Sequence, residues 1–255
     1  MVRVIFYNIE YLEGLKGNKS EYLQFWKRVA HPRGIELQIA EELKKLDPDV
    51  VAFAEVGGRN IVESDYFSVI QRHLGMPYRV RRIKYDLRGR FNILKTIPFL
   101  NRQSNAIISK RKLSHIETIY LKEGMKRTVI KVGADLGRQV TFLIVHLALL
   151  KETRKKQIEE LIGIVKGVKT PVVLAGDFNT FNGEEEIGEL LKETGLKHRF
   201  RVRGGRIFTY PTCHPRRRFD YVLTSPEINV KKYSVLKMPF SDHLPVMVDF
   251  DLKKR

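Results

Sequence analysis

The stretch Val172-Val173-Leu174-Ala175-Gly176-Asp177-Phe178-Asn179 runs an apolar segment into a glycine, a carboxylate and an amide. A run of four apolar residues suits a strand buried on both faces, and a glycine at its end permits a tight backbone turn. Alternate residues of an extended chain share a face, so Asp177 and Asn179 are expected to point the same way. One carboxylate to activate water and one amide to donate to a phosphoryl oxygen are what phosphodiester hydrolysis needs. The same residue types after a strand also serve simply as turn formers.

The pattern of an apolar run ending in one polar group recurs along the chain. Runs at residues 2–7, 50–54, 106–109, 128–132, 140–146, 172–175, 221–224 and 245–250 read as strands. Residues 34–46, 64–74, 152–166 and 184–192 carry apolar residues at three- and four-residue spacing and read as helices, with Leu37, Ala40, Leu43 and Leu46 as the clearest face. Several strands follow one another between residues 107 and 146 without a helix. That mixture predicts α/β layers with antiparallel hairpins and not a uniformly parallel doubly wound sheet. With no internal repeat and no low-complexity linker, residues 1–255 read as a single domain.

Six strand ends each deliver an acid, an amide or an imidazole: Asn8, Glu55, His146, Asp177, Asp220 and His243. Oxygen donors such as Asn8 and Glu55 suit Mg²⁺ or Mn²⁺. His243 follows Asp242, but neighbours in a strand cannot face one another. A different carboxylate must therefore orient the imidazole, and Asp220 is the candidate. His146 reads either as a second site imidazole or as a hydrogen-bonded core histidine.

Lys and Arg number 47 against 29 Asp and Glu, a net charge of +18. A field of this sign concentrates nucleic acid, anionic membrane surfaces and phosphorylated small molecules, or it is no more than a solvated basic surface. Residues 81–103 read as a long basic loop interleaved with Phe91, Ile93, Leu94, Ile97, Phe99 and Leu100 around Pro98. Such a loop suits a phosphate backbone, a membrane surface or an insertion folded back on the core. The apolar content of 43% excludes a disordered chain. The lone Cys213 excludes an intramolecular disulfide and leaves no disulfide-linked partner expected. No apolar run approaches the roughly 20 residues of a membrane span, and the N-terminal segment lacks a signal-peptide core, so a cytoplasmic protein is expected.

In order and spacing, Asn8, Glu55, His146, Gly176-Asp177-Phe178-Asn179, Asp220-Tyr221 and Ser241-Asp242-His243 resemble the endonuclease/exonuclease/phosphatase superfamily over nearly the whole chain. The resemblance implies a four-layer α/β sandwich, two packed mixed β-sheets flanked by helices, with a Mg²⁺ or Mn²⁺ at the mouth between the sheets. It implies Glu55 on the metal, Asn8 as ligand or close support and Asp242 as a further contributor. Asp177 would orient or deprotonate the attacking water, and Asn179 would donate to the phosphoryl oxygen. His243, oriented by Asp220, would stabilise the phosphate or move a proton, with His146 as a second imidazole. Abasic-site endonucleases of the superfamily generally lack a histidine at the place of His146, which points instead to deoxyribonuclease-, deadenylase-, phosphatase- or sphingomyelinase-like branches. Asn105, Tyr210, Arg216, Arg217 and Arg218 are the candidates for substrate contact. The expected activity is that of a monomeric nuclease or related phosphodiesterase acting on nucleic acid. A phospholipid or small-molecule phosphoesterase is the other enzymatic reading, and a catalytically silent nucleic-acid-binding module the third. DNA and RNA, and endo- and exonucleolytic cutting, stay open.

Overall fold

The computed structural model describes residues 1–10, 34–57, 66–84, 103–198 and 207–253. In chain order its elements are β1 (Val2–Asn8), α1 (Ile35–Lys45), β2 (Val50–Val56), α2 (Tyr66–Leu74), β3 (Tyr78–Ile83), β4 (Ser104–Ser109), β5 (Leu113–Tyr120), β6 (Thr128–Asp135), β7 (Gln139–His146), α3 (Lys151–Lys166), β8 (Val172–Asp177), a 3₁₀ turn (Glu184–Ile187), α4 (Gly188–Thr194), β9 (Asp220–Thr224), β10 (Ile228–Val235) and β11 (Val246–Leu252). One sheet has the order β10-β11-β1-β2-β4-β3 and the other β5-β6-β7-β8-β9. Both are mixed: β1 and β2 run parallel, as do β7 and β8, while their other neighbours are antiparallel.

The two-residue alternation of each strand builds the layers. Val4, Phe6 and Ala52 from the first sheet meet Phe142, Ile144, Val173 and Ala175 from the second in one buried core. The intervening residues Ile5, Tyr7, Val51 and Phe53 face outward under Ile39 and Leu43 of α1, and Leu143, Val145 and Leu174 lie under Ile158 and Leu161 of α3. The result is helix, sheet, sheet, helix, the expected four-layer α/β sandwich.

Three strands did not announce themselves: β3, β5 and β10 all lie at sheet edges. The expected loop 81–103 begins in β3, through Arg81 and Ile83. Its apolar residues, Phe91, Ile93, Leu94, Ile97, Pro98, Phe99 and Leu100, lie outside the described residues. Leu37 is 42% exposed, because α1 buries Ile35, Ile39, Ala40 and Leu43 instead. The helix expected at 184–192 begins as the 3₁₀ turn and is α-helical only from Gly188.

Gly176 sits within β8 beside Val145 of β7, where an added Cβ would fall 2.4 Å from the Val145 carbonyl oxygen. The glycine is there for close backbone approach and not for the turn the sequence suggested. Parallel β7 and β8 end together at His146 and Asp177, and antiparallel β9 begins opposite, at Asp220. In the first sheet Asn8 ends β1, and antiparallel β11 begins just after His243.

Candidate active site

Glu55 shows how a strand end is turned into a site. β2 pairs with β4 in register from Val50 to Phe53 and slips before Val56. Within that bulge Glu55 takes φ 57, a left-handed conformation that costs a non-glycine residue energy. A bulge breaks the alternation and re-aims one side chain. The carboxylate Oε1 accepts a hydrogen bond from Lys84 Nζ at 2.8 Å and lies 3.8 Å from both Lys126 Nζ and His146 Nδ1. Burial alone would raise this carboxyl; Lys84 and Lys126 hold it well below the usual range.

His146 bridges Glu55 and the end of β8. Its Nε2 accepts from Lys126 Nζ at 2.8 Å and lies 3.6 Å from Asp177 Oδ2. An ammonium only donates, so Nε2 is the acceptor and Nδ1 carries the ring hydrogen. Burial first, then Lys126 and Lys84, push the imidazole well below its ordinary pKa and keep it neutral.

The Asp177 Oδ2 accepts from Asn8 Nδ2 at 3.0 Å, and its Oδ1 from the Asn179 backbone N–H at 2.9 Å. Burial pushes this carboxyl up to about 7, with the pull of His243 opposing and the neighbouring Asp220 adding to the rise. His243 Nδ1 lies 2.8 Å from Asp220 Oδ2, and its Nε2 is 3.8 Å from Asp177 Oδ2 and from Asp242 Oδ1. Burial would neutralise the ring, yet Asp220, Asp242 and Asp177 together hold its pKa well above the ordinary value. Ser241 ties this loop to β1 by donating to the Asn8 carbonyl at 2.8 Å. Asn8, Glu55, His146, Asp177, Asn179, Asp220, Asp242 and His243 thus share one contact network.

The chain is not extended past Asp177. Asn179 takes φ 51 and its Nδ2 donates to the Leu147 carbonyl at 2.9 Å. A turn closed by the Asp177 side chain, and not strand alternation, sets its position. The ligand atoms of Asp177, Asp220 and His243 lie within 4.8 Å of one another. One Asp220 oxygen is buried with no protein partner among the described residues. Beside them the oxygen donors of Asn8, Glu55 and Asp242 fit a hard divalent cation, which leaves Asp177, Asp220 and His243 for proton transfer.

Among the substrate candidates, Asn105 on β4 is fully buried, and neither its amide oxygen nor its amide nitrogen has a hydrogen-bond partner among the described residues. Tyr210 has its ring centroid 5.0 Å from that of His243, and Arg216 and Arg217 are exposed. Arg218 is turned inward instead: Nη1 donates to Glu184 at 2.7 Å, and the guanidinium covers the Tyr221 ring at 4.2 Å. Lys84 and Lys126 were missed by sequence reading. In a chain with 47 Lys and Arg, nothing local sets Ile83-Lys84 or Met125-Lys126 apart.

Residues 33–243 match the Endonuclease/Exonuclease/phosphatase family, and the chain belongs to it; members are hydrolases acting on phosphoester bonds. Solved structures share the fold. The endonuclease/exonuclease/phosphatase from Beutenbergia cavernae DSM 12333 superposes with a TM-score of 0.74 at 21% identity, covering 99% of this chain and 72% of that one. The human Nocturnin catalytic domain with bound sulfate anion gives 0.69 at 21%, covering 99% and 94%. The mannosyl-6-phosphatase from Bacteroides thetaiotaomicron VPI-5482 gives 0.66 at 17%, covering 99% and 100%. No curated protein matches the chain.

Proposed function

We propose that the chain is a divalent-metal-dependent phosphodiesterase acting on nucleic acid, through a single domain spanning residues 1–255. The observation that carries the chemistry is the Asp220–His243 pair set against Asp177. Asp220 fixes Nδ1 of the imidazole at 2.8 Å and leaves Nε2 turned toward Asp177 Oδ2. Asp177 has a pKa of about 7, the range in which a base takes a proton from water efficiently near neutral pH. His243 carries the charge and hydrogen to place on a phosphoryl oxygen, and Lys126 adds a second cation beside His146. Asn8, Glu55 and Asp242 would hold Mg²⁺ or Mn²⁺, which supplies Lewis-acid stabilisation of charge on the phosphate.

The net charge of +18 supports a polyanionic substrate. Incubation of the purified protein with supercoiled plasmid, single-stranded DNA and RNA, with Mg²⁺, Mn²⁺ or chelator, tests this directly. Cleavage by wild type with metal, absent with chelator and in Asp177→Ala, is the expected result. A folded wild type that cuts none of these polymers under any metal would overturn it.

A second reading, a phospholipid phosphoesterase, has its own support. A cavity of about 510 Å³ beside Lys126 is lined by Met125, Leu149 and Leu150 together with Lys122 and Arg127, and Leu150 is 73% exposed. Apolar side chains flanked by Lys122, Lys126 and Arg127, with Glu123 the one acid in the lining, suit an anionic lipid surface. Sedimentation with anionic vesicles that is lost in Leu150→Ser favours it, and no sedimentation removes it.

A further inference from the structure

Beyond Asn179 the catalytic loop continues as Thr180-Phe181-Asn182-Gly183-Glu184, and this segment walls one side of a cavity of about 540 Å³. Ile207, Phe208, Tyr221 and the arginines 216–218 line the rest. That volume falls within the roughly 300–1,000 Å³ of small-molecule sites. Phe181 is 40% exposed. Its ring packs on Phe219 at 4.7 Å, Phe219 stacks on Tyr210 at 5.0 Å, and Tyr210 reaches His243 at 5.0 Å. A row of rings therefore leads from the cavity to the catalytic imidazole.

The charges at the rim divide into committed and uncommitted. Glu184, the acid in the lining, is spent on Arg218 at 2.7 Å and His198 at 2.6 Å. Arg217 and the buried Arg154 both lie over Phe181, their guanidinium carbons 5.4 Å and 5.7 Å from the ring centroid. Neither Arg216 nor Arg217 has an ion-pair partner among the described residues, and both are exposed. The cavity thus offers the part-exposed Phe181 ring to something flat that takes the place of Arg217 over it, and two exposed guanidinium groups to something anionic, at a distance from the catalytic centre fixed by packed rings. A nucleotide presents both features, a π-face and a phosphate. In a duplex the base faces are covered by their neighbours, so only an unstacked base can enter.

We propose that this cavity is the subsite for the unstacked base flanking the scissile phosphate, so that the substrate is a single strand passing over Tyr210 and Phe181 with its backbone on Arg216 and Arg217. The inference rests on the nucleic-acid reading above.

The test measures kcat/KM, with Mg²⁺ or Mn²⁺, for a short single strand, for the same strand in a duplex, and for bis(p-nitrophenyl) phosphate, a diester with no nucleobase and no second phosphate. Wild type is expected to prefer the single strand over the duplex by about tenfold or more. Phe181→Ala lowers kcat/KM for the strand about tenfold more than for the small diester, mainly through KM, as loss of one stacked base predicts. Phe181→Trp restores the difference, and Arg217→Gln weakens strand binding in a salt-dependent way. Arg138→Gln, at the far end of β7 from His146, leaves both rates at the wild-type level. If wild type cuts the strand but Phe181→Ala and Arg217→Gln lower strand and small-diester rates alike, or if the duplex is preferred, the subsite falls and the nucleic-acid reading stands. If wild type hydrolyses the small diester and no oligonucleotide, the nucleic-acid reading falls and takes the subsite with it.

Discussion

Asp177 is 2% exposed and tied by hydrogen bonds to Asn8 and Asn179, and burial raises its carboxyl from 3.8 to about 7. A carboxyl shifted upward by the fold contributes stability in full below its unfolded pKa and loses it as pH rises through the folded one. The metal-free wild type is therefore expected to fall behind Asp177→Asn in Tm between about pH 4 and pH 7, with the gap level above that. Calorimetry in chelator over this range checks the sign, and a variant less stable than wild type at every pH contradicts it. Lys126 acts on the same centre from the rim. Its side chain is 19% exposed, so Lys126→Met should fold normally yet lose about 10²-fold in kcat on a small diester, the typical cost of removing one electrostatic donor. A change confined to KM would contradict that role. Asp177, Asp220 and His243 were legible in the sequence because each ends or abuts an apolar run. Lys84 and Lys126 were not, since what singles them out is the half-buried Glu55 carboxylate brought near from β2. The inward turn of Arg218 was hidden for the same reason, because Glu184 meets it only through the fold.

Gly176 lies where β7 and β8 approach closely. Gly176→Ala places a methyl group 2.4 Å from the Val145 carbonyl oxygen, and one of the two strands must move. A loss of about 1–3 kcal/mol is expected, seen as a lower urea midpoint at unchanged slope. An unshifted midpoint would show that β8 has room to spare. The elements also divide by what their surroundings demand. β1, β2, β7 and β8 are buried on both faces and read as apolar runs. β3, β5 and β10 are each paired on one side only among the described residues and have half-exposed faces, as in Tyr78-Arg79-Val80-Arg81-Arg82-Ile83, and charged residues on an edge protect it from further pairing. Those same charges erase the alternation that would announce a strand.

At the scale of the whole molecule, one feature of the topology makes the site. Parallel pairing of β1 with β2 and of β7 with β8 brings strand ends to one mouth, and the antiparallel neighbours β9 and β11 return Asp220 and His243 to the same place. The excess of 18 positive charges bears on partner class and not on fold. Binding to a single strand is expected to weaken linearly in log–log form as salt rises, with a slope set by the phosphates contacted. Binding indifferent to salt would make the charge a surface trait. Under the proposed function this mouth hydrolyses phosphodiesters with Asp177 as the proton acceptor. The most direct measurement is the steady-state hydrolysis of bis(p-nitrophenyl) phosphate by wild type with Mg²⁺ or Mn²⁺, by wild type with chelator, and by Asp177→Ala shown by circular dichroism to be folded. Turnover by metal-supplied wild type, with a loss of about 10³-fold or more both in chelator and in the variant, is the predicted result; a folded Asp177→Ala that keeps the wild-type rate would contradict it.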